Sequence, residues 1–222
     1  MVLTRSEILA RIDSNELVFE PPLDGFQVQP HAIDLRLGFD FLIPKTWTLT
    51  KEGRKAISID PLDKNVNGQN FDKLSLKQGQ YFELLPGESV IGATLERIDL
   101  KARDIMCVLY PRSSINRRGL AVDLTGIIDV GYKGSLVIPI VNKTGEQIIR
   151  IYPGERICQI VFQALSLPMS RAEARKHGLT RAKYHLSKSN IQSRTDRRDE
   201  TDLIKKGKIS ELKRKYKIGS KI

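Results

Sequence analysis

Residues 111–134 read Pro-Arg-Ser-Ser-Ile-Asn-Arg-Arg-Gly-Leu-Ala-Val-Asp-Leu-Thr-Gly-Ile-Ile-Asp-Val-Gly-Tyr-Lys-Gly. A polar, basic loop leads into a short apolar run, Gly126 follows, and one carboxylate, Asp129, stands among Ile127, Ile128 and Val130. Arg112 offers a planar fork of donors suited to phosphate oxygens. Ser113 and Ser114 add small hydroxyls that let the backbone come close. A carboxylate in an apolar hairpin is costly unless it is paired, hydrated or used; one use is to hold and polarise a water. Tyr132, between Gly131 and Gly134, presents a flat face to a sugar or base. Each residue taken alone also has a bland explanation: Asp129 as a turn cap or the partner of an arginine, the Arg-Ser-Ser run as a loop facing water.

The combination resembles the trimeric dUTPase and dCTP deaminase superfamily. There a Pro-Arg-Ser loop binds the phosphates of a deoxynucleotide, and a Gly-Ile-Ile-Asp-x-x-Tyr-x-Gly hairpin holds the base and the catalytic water. The resemblance implies that Arg112, Ser113, Ser114 and Arg117 meet the triphosphate. It also implies that the backbone from Gly126 to Ile128 reads the base, that Tyr132 stacks on the deoxyribose, and that Asp129 activates water. Asp123, just before the hairpin, is expected to help hold the base or its water.

Outward from this stretch, Gly154-Glu-Arg-Ile-Cys-Gln159 looks like the family's fourth motif, in which Gln159 reaches the phosphates. His31-Ala-Ile-Asp-Leu-Arg-Leu-Gly38 alternates as a strand and resembles the first motif. That implies a place for Asp34 near the triphosphate and, indirectly, its metal; pairing with an arginine is the alternative. Ala182-Lys-Tyr184 resembles the deaminase branch's C-terminal segment, with Lys183 closing over the triphosphate, although Ser187 stands where that branch has a Gln. The resemblance covers residues 1–195. The implied metal is Mg2+, carried mostly by substrate and water, and the implied assembly is a homotrimer with sites between subunits.

Composition agrees with an all-β chain. Sixteen Gly and ten Pro in 222 residues favour short strands and turns. The expected fold is a distorted, jelly-roll-like β-barrel of the dUTPase kind with short flanking helices. Thr4-Arg-Ser-Glu7 is a capping box, predicting a helix over 5–14. A strand starts at Val18, one strand is expected at 57–59 within a polar excursion over 43–75, and a strand pair is expected around Gly79. Strands follow at 89–95, 105–110, 135–142, 148–152 and 160–164. Pro139 places the 135–142 strand at an edge or a bulge. A helix is expected over 170–178, and Ile209, Leu212 and Tyr216 fit one face of a short helix near the end.

Two cysteines in apolar segments, Cys107 and Cys158, read as small buried residues of a reducing compartment. His31, His177 and His185 show no zinc spacing. No apolar run spans a bilayer and the N-terminus lacks a signal-peptide centre, so the default is a cytoplasmic protein with no membrane partner. The net charge is +11, with 12 Lys and Arg against 5 Asp and Glu from Leu186 onward. The expected division is therefore a domain over 1–195 and a basic extension over 196–222. Nucleic acid is expected to bind, if at all, through that tail.

Between the two branches, Pro139 decides the expectation. Aligned from Gly134, it stands where the deaminase branch carries a proton-shuttling Glu, and proline moves no proton. The expected activity is therefore dUTP diphosphatase, with dUTP cleaved to dUMP and pyrophosphate by Asp129-activated water. The alternatives are a dCTP deaminase, forming dUTP or dUMP, and a nucleic-acid-binding protein using the basic tail.

Overall fold

The computed structural model describes residues 1–60, 62, 70–122, 126–177, 180–181 and 198–218. They fall into two compact units: one built from Met1–Pro44 and the described residues from Phe71 to 181, the other from those of 45–70 and 198–218.

In the first unit, Thr4 caps helix α1 (Arg5–Asp13), and the Glu7 carboxylate returns to Thr4 N at 2.7 Å. Strands β1 (Leu17–Glu20) and β2 (Ala32–Pro44) follow. The hairpin β3 (Trp47–Thr50) and β4 (Gly53–Ala56) belongs to the second unit. The first unit resumes with β5 (Phe71–Ser75), β6 (Phe82–Leu84), β7 (Ser89–Leu100) and β8 (Ile105–Pro111), then a single helical turn, α2 (Ser113–Asn116). Next come β9 (Leu120–Val122), β10 (Gly126–Ile128), β11 (Lys133–Asn142), β12 (Ile149–Ile151), β13 (Arg156–Ala164) and the two-residue strands β14 (Lys176–His177) and β15 (Thr180–Arg181). The second unit ends with α3 (Arg198–Lys205) and α4 (Ile209–Lys215).

Nine strands form one curled antiparallel sheet in the order β10-β8-β13-β2-β7-β11-β9, with β1 added on β7 and β5 on β2. This is the expected all-β, jelly-roll-like architecture. Alternation fixes it: Val90, Gly92, Thr94, Glu96, Ile98 and Leu100 of β7 point to the core, as do Leu136, Ile138 and Ile140 of β11. A one-residue slip would expose every member of that set. Each large apolar side chain so buried contributes roughly 1.5–3 kcal/mol.

The sheet turns its corner in β2. Its first half pairs with β13 and its second with β7 and β5, with an irregularity between Leu37 and Phe41. Gly38 sits there because a Cβ would lie 2.9 Å from the Ala93 carbonyl oxygen.

Several local expectations are corrected. The 43–75 excursion carries the β3–β4 hairpin, and residues 57–59 form no strand. The segments flanking Gly79 pair not with each other but with β2 and β12, which places Phe82 and Leu84 in the core. In place of the helix expected over 170–178, the described residues form a three-residue 3-10 turn, Glu173–Arg175, and the strand β14; Ser170 and Glu173 cap one another at 2.9 and 3.2 Å. The Pro139 strand is no edge: β11 lies between β7 and β9. The bulge falls at Ser135–Val137, and the described β9 pairings join Ile140–Asn142. Among the described residues no helix is long and apolar enough to cross a membrane.

Candidate active site

Strand β8 lies between β10 and β13 and delivers the chain to Pro111. Arg112 then leaves the sheet in an extended conformation and caps α2. Buried Ile115 pins this turn, which leaves Ser113, Ser114, Asn116, Arg117 and Arg118 exposed. The Arg112 guanidinium is not free to wander. Its Nη1 donates to the Arg156 carbonyl at 2.9 Å and its Nε lies 3.1 Å from Asp34 Oδ2. Gln159, half-buried, stands between Asp34 on β2 and Tyr110 on β8. The structure thus brings Asp34, Arg112 and Gln159 into one cluster.

That cluster contains residues the sequence reading did not single out. Arg156 Nη1 lies 3.2 Å from Asp34 Oδ2 and donates to the Phe26 carbonyl at 2.6 Å. Gln27 Nε2 donates to the Asp34 carbonyl at 2.9 Å and to Glu96 Oε1 at 2.7 Å, while Glu96 Oε2 accepts from Arg36 N at 2.9 Å. Arg36 itself reaches Asp24 and the Gly154 carbonyl. Burial drives the Asp34 carboxyl above its ordinary range, against the opposing pull of Arg112 and Arg156. Burial also raises the Glu96 carboxyl, against hydrogen bonds from Arg36 and Gln27. Glu96 lies one residue past the strand expected at 89–95, so its inward parity shows only because β7 runs on to Leu100. Arg156 lies inside the quoted Gly-Glu-Arg run, but nothing in the run says which way it points.

The hairpin is built on the end strand of the sheet. β10 pairs with β8 through Gly126↔Leu109, Ile127↔Val108 and Ile128↔Cys107, and its other edge lies beyond the described pairings. Ile128 is buried and Ile127 faces out. Asp129 is exposed and starts a turn closed by Tyr132 N donating to the Asp129 carbonyl at 3.1 Å, with Gly131 at φ +77°. Tyr132 packs its ring on the core edge and donates its hydroxyl to the Ser135 carbonyl at 2.8 Å. Asp123 and Lys183 lie outside the described residues.

The two halves do not converge within one chain. Ile128 lies beside Cys107, four residues before Pro111. At about 3.3 Å per residue that is roughly 13 Å of strand, with Asp129 farther still. The Arg112 loop and the Asp129 hairpin therefore sit toward opposite ends of β8.

Among the described residues no cluster of three His, Cys, Asp or Glu could hold a metal. Asp34, the sequence candidate nearest a metal, is 2% exposed and faces two guanidiniums. These residues do not fit a resident cation.

Residues 2–165 match the family model described as dCTP deaminase-like. A protein of Dictyoglomus thermophilum named "dCTP deaminase, dUMP-forming" is 35% identical over 196 residues, 87% of this chain and 94% of its own length. One of Methanosphaera stadtmanae with the same name is 31% identical over 174 residues, 77% of this chain and 82% of its own. The crystal structure of 2'-deoxycytidine 5'-triphosphate deaminase from Agrobacterium tumefaciens superposes with a TM-score of 0.55 at 25% identity, over 73% of this chain. The match spans about half of that longer chain (48%). These relatives overturn the expectation of dUTP hydrolysis as the main activity, since the names they carry are those of dCTP deaminases. With a family model matched across most of its length and relatives above 30% identity, the chain belongs to the dCTP deaminase-like family.

Proposed function

We propose that this chain acts on dCTP, releasing ammonia and pyrophosphate and leaving dUMP. The observation that carries this reading is the dUMP-forming deaminase of Dictyoglomus thermophilum, matched over 94% of its length. The chemistry takes two waters. One adds at C4 of the cytosine ring and the amino group leaves as ammonia; the other attacks the α-phosphorus and pyrophosphate leaves.

In this reading the Arg112 fork, Ser113, Ser114, Arg117 and Gln159 take the phosphates, and Asp34 holds Arg112 at a fixed angle to them. The outer backbone edge of Gly126–Ile128 reads the base by main-chain hydrogen bonds, as an added strand would. Tyr132 borders the deoxyribose. Asp129 orients the attacking water and takes its proton. Pro139 moves none, so Asp129 then has to return that proton to the departing amine. Magnesium enters only as the counter-ion carried in on the triphosphate.

The separation of the two halves along β8 supports a site shared between copies of the chain, one supplying Arg112 and the next Asp129. The outward face of β7 and β11 supports the homotrimer that the resemblance implies. Its Ile91, Ala93, Leu95, Val137, Pro139 and Val141 form a half-buried apolar stretch beside the polar Arg97, Asp99, Lys133 and Ser135 of the same face.

Pro139 favours a second reading, in which the site binds dCTP without deaminating it. One experiment separates them: dCTP and dUTP are offered separately with magnesium while ammonia, pyrophosphate and nucleotide binding are followed. Ammonia and pyrophosphate from dCTP are expected. Saturable dCTP binding with no ammonia selects the second reading, and pyrophosphate from dUTP alone sinks both.

A further inference from the structure

We propose that the second compact unit is a binding module for double-stranded DNA, separate from the nucleotide chemistry. The stretches 45–70 and 192–222 carry 16 Lys and Arg against 8 Asp and Glu, so they hold +8 of the chain's net +11. A basic run is most often a solvated face. Three features set this one apart.

The first is its architecture. α3 and α4 are joined by three residues, Lys206-Gly207-Lys208, with Gly207 at φ +68°. The turn is closed by Gly207 N donating to the Ile204 carbonyl and Lys208 N to the Leu203 carbonyl, each at 2.9 Å. The Tyr216 hydroxyl after α4 reaches back to the Asp199 carboxylate at the start of α3. Two short helices around a tight glycine turn are the geometry by which duplex readers lay a second helix against DNA.

The second is where the acids go. Asp60 pairs with Lys205 at 2.9 Å, Glu211 with Lys208 at 3.2 Å, and Asp199 accepts from Tyr216. Among the described residues, Lys206, Lys213, Arg214 and Lys217 have no carboxylate partner, and all four are exposed. Leu212 and Tyr216 are half-buried, so Lys213, Arg214 and Lys217 crowd the outer side of α4 and the turn that follows it. Like charges at that spacing repel; a row of phosphates removes the cost and releases condensed counter-ions.

The third is the neighbouring hairpin. Lys51 and Lys55 are exposed on β3–β4, and Arg54 lies 5.0 Å over the Trp47 ring. That contact engages the ring of the chain's one tryptophan, itself 46% exposed, and the exposed cations around it are placed as a phosphate backbone would meet them.

The test is fluorescence anisotropy of a labelled 20-base-pair duplex with the full chain, across a KCl series. The comparison variant is Lys213→Gln/Arg214→Gln/Lys217→Gln, with its helix content checked by circular dichroism. The duplex should bind the wild type, with log Kd rising about 0.9 per phosphate contact on log salt. The variant should lose close to three contacts from that slope and on the order of 100-fold or more in affinity at 50 mM salt. Its dCTP binding and turnover should stay as in the wild type. No duplex binding at 50 mM KCl, binding indifferent to salt, an unchanged affinity in a folded variant, or tighter binding of single-stranded RNA than of duplex would each overturn the proposal.

Discussion

Asp34 Oδ2 lies 3.1 Å from Arg112 Nε although the two residues are far apart in sequence, and the carboxylate is almost wholly shut off from water. A buried acid facing two guanidiniums fixes where they point more than it stabilises the chain. Asp34→Asn should therefore lower dCTP affinity by about tenfold or more through a mispointed Arg112. It should also lower the melting temperature, because breaking a buried pair costs about 3–5 kcal/mol. Calorimetric nucleotide titration and a thermal melt read the two effects separately; unchanged affinity would leave Asp34 a purely structural residue.

Asp129→Asn should leave the fold and dCTP binding intact while cutting product formation by at least about 100-fold, the usual scale for a lost general base. Near-normal turnover would remove Asp129 from the chemistry.

Pro139→Glu puts a carboxylate opposite Ile91 on the outward face of β11. If that position serves the site, ammonia release from dCTP should rise by about tenfold or more, the lower part of the range for general acid–base catalysis. No gain in a folded variant would mean that the proton path runs elsewhere.

The Glu96 carboxyl is raised by burial. A folded-state pKa above the unfolded one contributes stability that is fully present below the unfolded value of about 4.3 and lost as pH rises through the folded value. The stability of wild type minus that of Glu96→Gln should therefore shrink as pH rises from 4 to 8, by about 1.4 kcal/mol for each unit of raised pKa. Urea midpoints across that range check it, and a difference that grows with pH would reverse the sign.

Val137→Asp places a charge in the apolar outward face of β11. It should convert an oligomer to monomers in size-exclusion chromatography and abolish turnover, since the phosphate loop and the hairpin would no longer meet. A monomeric variant with full activity would place the whole site in one chain.

Local chemistry was legible wherever the responsible residues are neighbours in sequence. The Thr4–Glu7 box points to α1, alternation over 31–38 points to the start of β2, and the quoted stretch holds both the Arg112 turn and the β10 hairpin. The 170–178 segment misled because its helical spacing had no apolar face to bury against, so it stops after one 3-10 turn. The activity is not legible from Pro139, because one position does not outweigh the likeness of most of the chain to dCTP deaminases.

The amino-acid order alone determined the all-β class, the two motifs and the charge imbalance, because strand alternation, turn chemistry and charge are properties of neighbouring residues. Only the tertiary structure decided that Asp34 and Arg156 meet Arg112, that Pro139 lies on the outward face of a strand held between β7 and β9, and that Arg112 and Asp129 lie toward opposite ends of one strand. Those relationships depend on which strands pair and in what register, and register is set by burial summed over the whole sheet.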